Sequence, residues 1–185
     1  MSIAWTWGTT EDERAQPFPG DGPGVPPDDP RLDEYYRGVT VRAPAPVVFR
    51  WLCQLRVAPY SYDWIDNGGR RSPRTLTKGL DRLEHGQMFL GIFVLEDFVP
   101  GVHLTLSTPV DSLAERLFGT VRITYWARPL DAGRTRLLVK LRVAHGRGPW
   151  SRFVRAWLPW GDLVMMRKQL LTLRDLAEAT VPGVI

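Results

Sequence analysis

The chain has 185 residues, 44% hydrophobic and 24% charged, with a net charge of +4 and a pI of about 9.6. That length suits one domain with a sizeable core plus some extension, and the composition is that of a globular protein. No window approaches the roughly 18 consecutive apolar residues of a membrane span, and the lone Cys53 excludes an intramolecular disulfide.

Met1–Thr10 lacks the basic start and apolar run of a signal peptide, so the cytoplasm is the expected compartment. Met1–Asp33 is dense in Pro, Gly and Asp, as in Gln16-Pro17-Phe18-Pro19-Gly20-Asp21 and Gly22-Pro23-Gly24-Val25-Pro26-Pro27. Such a stretch makes no long regular element. Trp5 and Trp7 are costly to leave in water, however, and Thr9/Thr10 before Glu11-Asp12-Glu13 reads as a capped helical turn. Residues 1–33 are therefore expected to form an arm lying over a domain at 34–180, held by its aromatics.

Glu34–Arg42 alternates around Tyr36, Val39 and Val41 as a first strand. Pro44-Ala45-Pro46 opens a short helix that buries Val48, Trp51, Leu52 and Leu55. Arg56–Asn67 is a turn or second short helix ending at Asp66-Asn67-Gly68-Gly69, and Arg70–Leu83 is basic and irregular. Strands follow at Gln87–Phe89, Ile92–Phe98 and His103–Ser107. A short helix capped by Asp111 or Ser112 and stopped by Gly119 interrupts them.

Val121–Leu130 and Thr135–Val143 form a hairpin across Asp131-Ala132-Gly133-Arg134. In its second strand Leu137, Val139, Leu141 and Val143 point inward, and Arg136, Lys140 and Arg142 are expected on a solvated outer face. Trp150–Glu178 is a long amphipathic helix burying Trp150, Phe153, Val154, Trp157, Leu163, Met166, Leu170, Leu173 and Ala177. Pro159 predicts a kink or break near Leu158, after which Asp162 caps a second segment. The order is that of an α+β fold: a curved antiparallel sheet wrapped around a long C-terminal helix, with two short helices after strand one. An elongated apolar cavity between sheet and helix is the usual remainder.

In that order the chain resembles the START/Bet v 1-like superfamily, which includes polyketide cyclases/dehydrases and lipid-transport proteins. The resemblance rests on Ala43–Leu52, Pro59–Asn67, Leu83–Gln87, Gly133–Leu137 and Val164–Leu170. Trp7–Asp12 and Pro19-Gly20-Asp21 are similar to an extension seen in one bacterial branch. The resemblance implies the helix-grip fold and a small hydrophobic ligand, but no single function, because such folds host many.

The densest polar-aromatic cluster is Tyr60, Tyr62, Asp63, Trp64 and Asp66. One reading sets Tyr62 and Asp63 at a cavity mouth, moving a proton during an aldol-type cyclisation. The favoured reading makes the aromatics core anchors and has the aspartates cap, or pair with Arg70, Arg71 or Arg74. His103 leads a strand and has two readings, a base facing the cavity or, the favoured one, a histidine that is merely hydrogen-bonded; His85 and His145 are expected to be exposed. No His or Cys spacing suits a metal, and neither metal nor cofactor is expected. Ligand contacts are expected from Tyr60, Tyr62, Trp64, Phe93, Ile123, Tyr125, Val139, Met166 and Leu170.

Trp150, Trp157 and Trp160 beside Arg147, Arg152 and Arg155 also fit an interfacial membrane helix. The favoured alternative has these tryptophans filling the core. Cations scattered singly through strands, without zinc-finger, RNP-like or Walker-type motifs, make nucleic acid an unexpected partner. Three functions remain in order of preference: a binder of a small apolar, lipid- or polyketide-like ligand; a cyclase or dehydratase using Tyr62, Asp63 and His103; and an interaction protein with a filled cavity.

Overall fold

A computed structural model describes residues 2–21, 31–66, 68–146 and 148–181. The Gly22–Pro27 run, Asn67, Arg147 and the side chain of Asp66, all named above, lie outside the described residues. The elements run α1 (Ile3–Thr6), α2 (Glu11–Ala15), β1 (Leu32–Val41), α3 (Ala45–Cys53) and a 3-10 turn at Gln54–Arg56. They continue with α4 (Asp63–Asp66), β2 (Met88–Phe89), β3 (Phe93–Val99), β4 (His103–Ser107) and α5 (Leu113–Phe118). β5 (Thr120–Pro129), β6 (Thr135–Ala144) and α6 (Pro149–Thr180) complete the chain. The six strands form one antiparallel sheet, ordered β1-β6-β5-β4-β3-β2.

Register decides which residues meet α6. Tyr35, Val39 and Val41 sit opposite Leu141, Leu137 and Thr135, and Leu104 and Leu106 sit opposite Tyr125 and Ile123. Together with Leu170, Leu173 and Ala177 of α6 and Trp51, Leu52 and Leu55 after β1, the apolar members of these pairs form the main core. The inward residue of β1 is thus Tyr35, in phase with Val39 and Val41, while Tyr36 points to the other face with Leu138 and Phe18.

That other face is not the wet surface its cations suggested. Lys140 and Arg142 keep the predicted side of β6, yet each is only 8% exposed. The cause is the N-terminal arm. α1 lies against β1 and α6, with the Trp5 ring edge-on to Tyr35 at 4.9 Å. The chain then crosses the edge strand, where Gly38 donates its N–H to the Trp7 carbonyl at 3.1 Å. Beyond the crossing, the Thr10/Glu13 capping box starts α2, Phe18 packs edge-on against Tyr36 and Trp126, and Asp21 pairs with Lys140 at 2.9 Å. Glu13 accepts from Arg136 at 2.7 Å and from Arg128 at 3.3 Å. Burial would raise its carboxyl, but these guanidinium partners and the Thr10 N–H hold it below the usual range. Glu34 serves both Lys140 and Arg142. A cation can be buried here because each has a carboxylate within reach.

α6 is continuous through Pro159, with no break at Leu158. Losing one helical hydrogen bond there costs about 3 kcal/mol in isolation, and burial of the flanking turns offsets it. Asp162 is accordingly no cap: it lies mid-helix. The tryptophans are a second correction. At about 100° per residue, Trp150, Phe153 and Trp157 point roughly opposite to Leu163, Met166, Leu170 and Ala177. α6 thus carries two apolar stripes rather than one, and Trp150, Phe153, Trp157 and Trp160 are exposed. No helix among the described residues is long and apolar enough to cross a membrane.

Candidate functional site

The inner face has two halves. At the α3 end it is packed solid: Tyr125, Val139 and Leu170 are fully buried, and Trp51 donates its indole N–H to Thr180 at 3.0 Å. At the opposite end a cavity of about 360 Å³ opens between sheet and helix. Its sheet wall is Tyr35, Phe93, Val121, Ile123, Leu141 and Val143. Its helix wall is Leu158, Gly161, Asp162, Met165, Met166 and Gln169 of α6, and Ala114 and Phe118 of α5 close one side. Pro59, Ser61, Leu90, Ile92 and Thr108 complete it. The exposure of Ile92, Phe118 and Gly161 marks the mouth.

A few polar groups interrupt this apolar lining. Arg37 of β1 donates Nη2 to Asp162 Oδ2 at 2.6 Å and to the Ala4 carbonyl at 2.8 Å, with the Pro159 carbonyl at 3.4 Å. Its side chain is wholly buried, whereas Asp162 keeps 11% exposure. Burial pushes the Asp162 carboxyl up to about 6 from an ordinary 3.8, against the pull of Arg37. The Tyr35 ring stands 5.9 Å from the same guanidinium. Its hydroxyl is buried without a hydrogen-bond partner among the described residues, and burial, helped by Asp33 and Asp162, raises the phenol well above its usual range. Gln169 donates to the Pro59 carbonyl at 2.7 Å and accepts from the Tyr125 hydroxyl at 2.8 Å. Those two groups are therefore satisfied, whereas the Tyr35 hydroxyl and Arg37 Nε are buried without a partner among the described residues.

Of the expected ligand contacts, Phe93, Ile123 and Met166 line this cavity. Tyr125, Val139 and Leu170 lie in the packed half instead. Tyr60 is buried edge-on to Trp51 at 6.0 Å, with φ of 56°. Tyr62 is half-buried outside the lining, and Trp64 is 76% exposed. Asp63 holds a loop, accepting the Ser72 N–H at 2.9 Å and its hydroxyl at 2.5 Å. His103 is on the wrong face: it pairs with Trp126 in register, points away from α6, and meets Asp97 at 3.0 Å. His145 is buried rather than exposed, 3.0 Å from Asp33. The Asp33 carboxyl, which burial would raise, is instead lowered by hydrogen bonds from His145 and Arg155. Among the described residues no cluster of His, Cys, Asp and Glu could hold a metal ion. Burial pushes the Cys53 thiol up to about 12, so it is a core residue and no nucleophile.

Sequence reasoning missed Tyr35, Arg37, Asp162 and Gln169. Their signal was present: Arg37 is a cation at an inward strand position, and Asp162 and Gln169 interrupt the apolar stripe of α6.

This arrangement of sheet, helix and cavity has counterparts among solved structures. The Zhui aromatase/cyclase from Streptomyces sp. R1128 superposes with a TM-score of 0.54 at 18% identity, covering 82% of this chain and 97% of that one. The chain has the helix-grip fold. The di-domain aromatase/cyclase BexL from the BE-7585A biosynthetic pathway gives 0.51 at 15% identity, over 80% of this chain and 48% of that larger one. A solution structure from Thermobifida fusca gives 0.50 at 13% identity, covering 79% and 93% of the two chains. No family model matches the sequence, and no curated protein does. At these identities the likeness is one of fold alone.

Proposed function

We propose that the protein binds one small, mostly apolar molecule between sheet and C-terminal helix, with a polar, oxygen-bearing end directed at Tyr35 and Asp162. The observation that carries this reading is a 360 Å³ apolar cavity whose wall includes Tyr35, a residue with a buried hydroxyl that has no hydrogen-bond partner among the described residues. An unpaired buried hydroxyl costs about 1–3 kcal/mol, and a ligand oxygen within reach would recover that cost. The volume suits a molecule of drug-like size or below. The aromatase/cyclase neighbours support an apolar, oxygenated guest of this kind, and the open volume weighs against a cavity filled by side chains.

The test is native mass spectrometry of the purified protein, followed by displacement of the apolar dye ANS by the extracted compound. Tyr35→Phe is expected to leave stability unchanged or slightly raised while weakening the displaced ligand by about tenfold, one lost hydrogen bond. Unchanged affinity in the variant would remove Tyr35 from the site.

A second reading, catalysis, is favoured by one observation: the Asp162 carboxyl, near 6, is placed to exchange a proton at neutral pH. In this reading Asp162, held by Arg37, is the proton carrier, in place of Tyr62, Asp63 and His103. Loss of turnover in Asp162→Asn with binding intact would promote it.

A further inference from the structure

The first half of α6 carries a surface that the cavity does not use. Trp150, Phe153, Trp157 and Trp160 are 55%, 56%, 64% and 49% exposed, and Val164 continues the stripe. The rings touch in series, Trp150 to Phe153 at 5.7 Å and Phe153 to Trp157 at 6.4 Å. Trp150 donates its indole N–H to the Leu117 carbonyl, tying α5 alongside. Leu113, Leu117 and Phe118 of α5 extend the exposed apolar area. A soluble chain leaves so contiguous an aromatic patch open only where something else covers it.

We infer that this surface docks on an anionic lipid bilayer, lying in the headgroup region with the cavity mouth turned toward the membrane. Three features select that occupant. The stripe is built of tryptophans, whose indoles favour the interface between hydrocarbon and water. The same segment is basic: between positions 149 and 168 α6 carries four cations against one acid, and with Arg155 tied to Asp33 and Asp162 tied to Arg37, the exposed Arg152, Arg167 and Lys168 are left to meet anionic headgroups. The stripe also runs on to the mouth, because Leu158, Gly161 and Met165 of the same turns line the cavity. A second copy fits less well. Antiparallel pairing of the helix about Trp160 would set Arg152 against Lys168 of the copy, like charge on like. The docking stands apart from the ligand reading of the cavity and is tested without any ligand.

The full chain is sedimented with vesicles of phosphatidylcholine alone and of phosphatidylcholine with about a third phosphatidylglycerol, at low and high salt. Binding is expected to the anionic vesicles and to weaken with salt. Phe153→Ser with Trp157→Ser is expected to reduce it by about tenfold or more, and Arg152→Glu with Lys168→Glu to remove its preference for anionic lipid. Both variants alter exposed side chains, and circular dichroism checks that the fold is kept. Three results would each overturn the inference: no wild-type binding to anionic vesicles; binding that ignores both variants; or a dimer in light scattering that the serine variant abolishes while vesicles bind nothing.

Discussion

Asp162 and Arg37 are the residues whose chemistry most needs explaining, because a buried ion pair is costly to assemble. Arg37, on β1, meets acceptors on two other segments, the Ala4 carbonyl of the arm and the Pro159 carbonyl and Asp162 of α6, so it joins arm, strand and helix at one point. The sign of its pH dependence follows from the raised carboxyl. Between 3.8 and about 6 the folded chain still holds the Asp162 proton that the unfolded chain has released. Its contribution to stability is therefore full below 3.8 and is lost as pH rises to 6. Glu13, Asp33 and Glu178 are lowered and run the other way, losing stability as pH falls. Asp162→Asn is expected to destabilise at every pH, with a deficit that narrows by on the order of 1–3 kcal/mol from pH 4 to pH 6. Urea unfolding of both proteins across that range checks it; a constant deficit would mean the carboxyl titrates normally.

Among the elements, the arm is the one with most to teach. Its capped turn and aromatics were legible, because a capping box and a costly tryptophan are local signals. Its destination was not, because Lys140 and Arg142 read as solvated until Asp21 and Glu34 are brought beside them from more than a hundred residues away. The same limit explains Asp162. Local sequence after Pro159 and Gly161 suggests a cap, and only Arg37, across the fold, makes it a buried partner. Strand positions in β5, β6 and most of α6 were legible because their periods are long and regular. His103 fell on the outer face because a five-residue strand alternates too briefly to fix its phase. Two glycines let the arm lie close. Gly8, at φ 74°, would set a Cβ on the Gly38 carbonyl oxygen, and Gly20, at φ 80°, would set one on Thr105. Gly8→Ala and Gly20→Ala are each expected to cost about 1–3 kcal/mol and to open the arm to protease. Proteolysis at wild-type rates in both would show that the arm does not cross the sheet there.

Across the whole molecule the work is divided by face. The outer face is a small second core closed by the arm; the inner face is half packed, half hollow, with the aromatic surface of α6 beside the hollow end. That division makes a prediction about where truncation hurts. Leu170 is wholly buried in the packed half, among Tyr125, Val139 and α3. Ile123 sits two residues along β5 from Tyr125 on the same face, on the cavity wall, where space already adjoins it. Removing methyl and methylene groups costs their transfer free energy plus a term for the new void, and that second term is small where a void exists. Leu170→Ala is therefore expected near the top of the usual range of about 2–5 kcal/mol, and Ile123→Ala near its bottom. If a molecule fills the cavity, as proposed, the order should tighten or reverse, since Ile123 then gains contacts to lose while Leu170 does not. Chemical denaturation of both variants, with and without that ligand, measures the two gaps. Equal costs in the free protein would mean that the inner face is packed along its whole length.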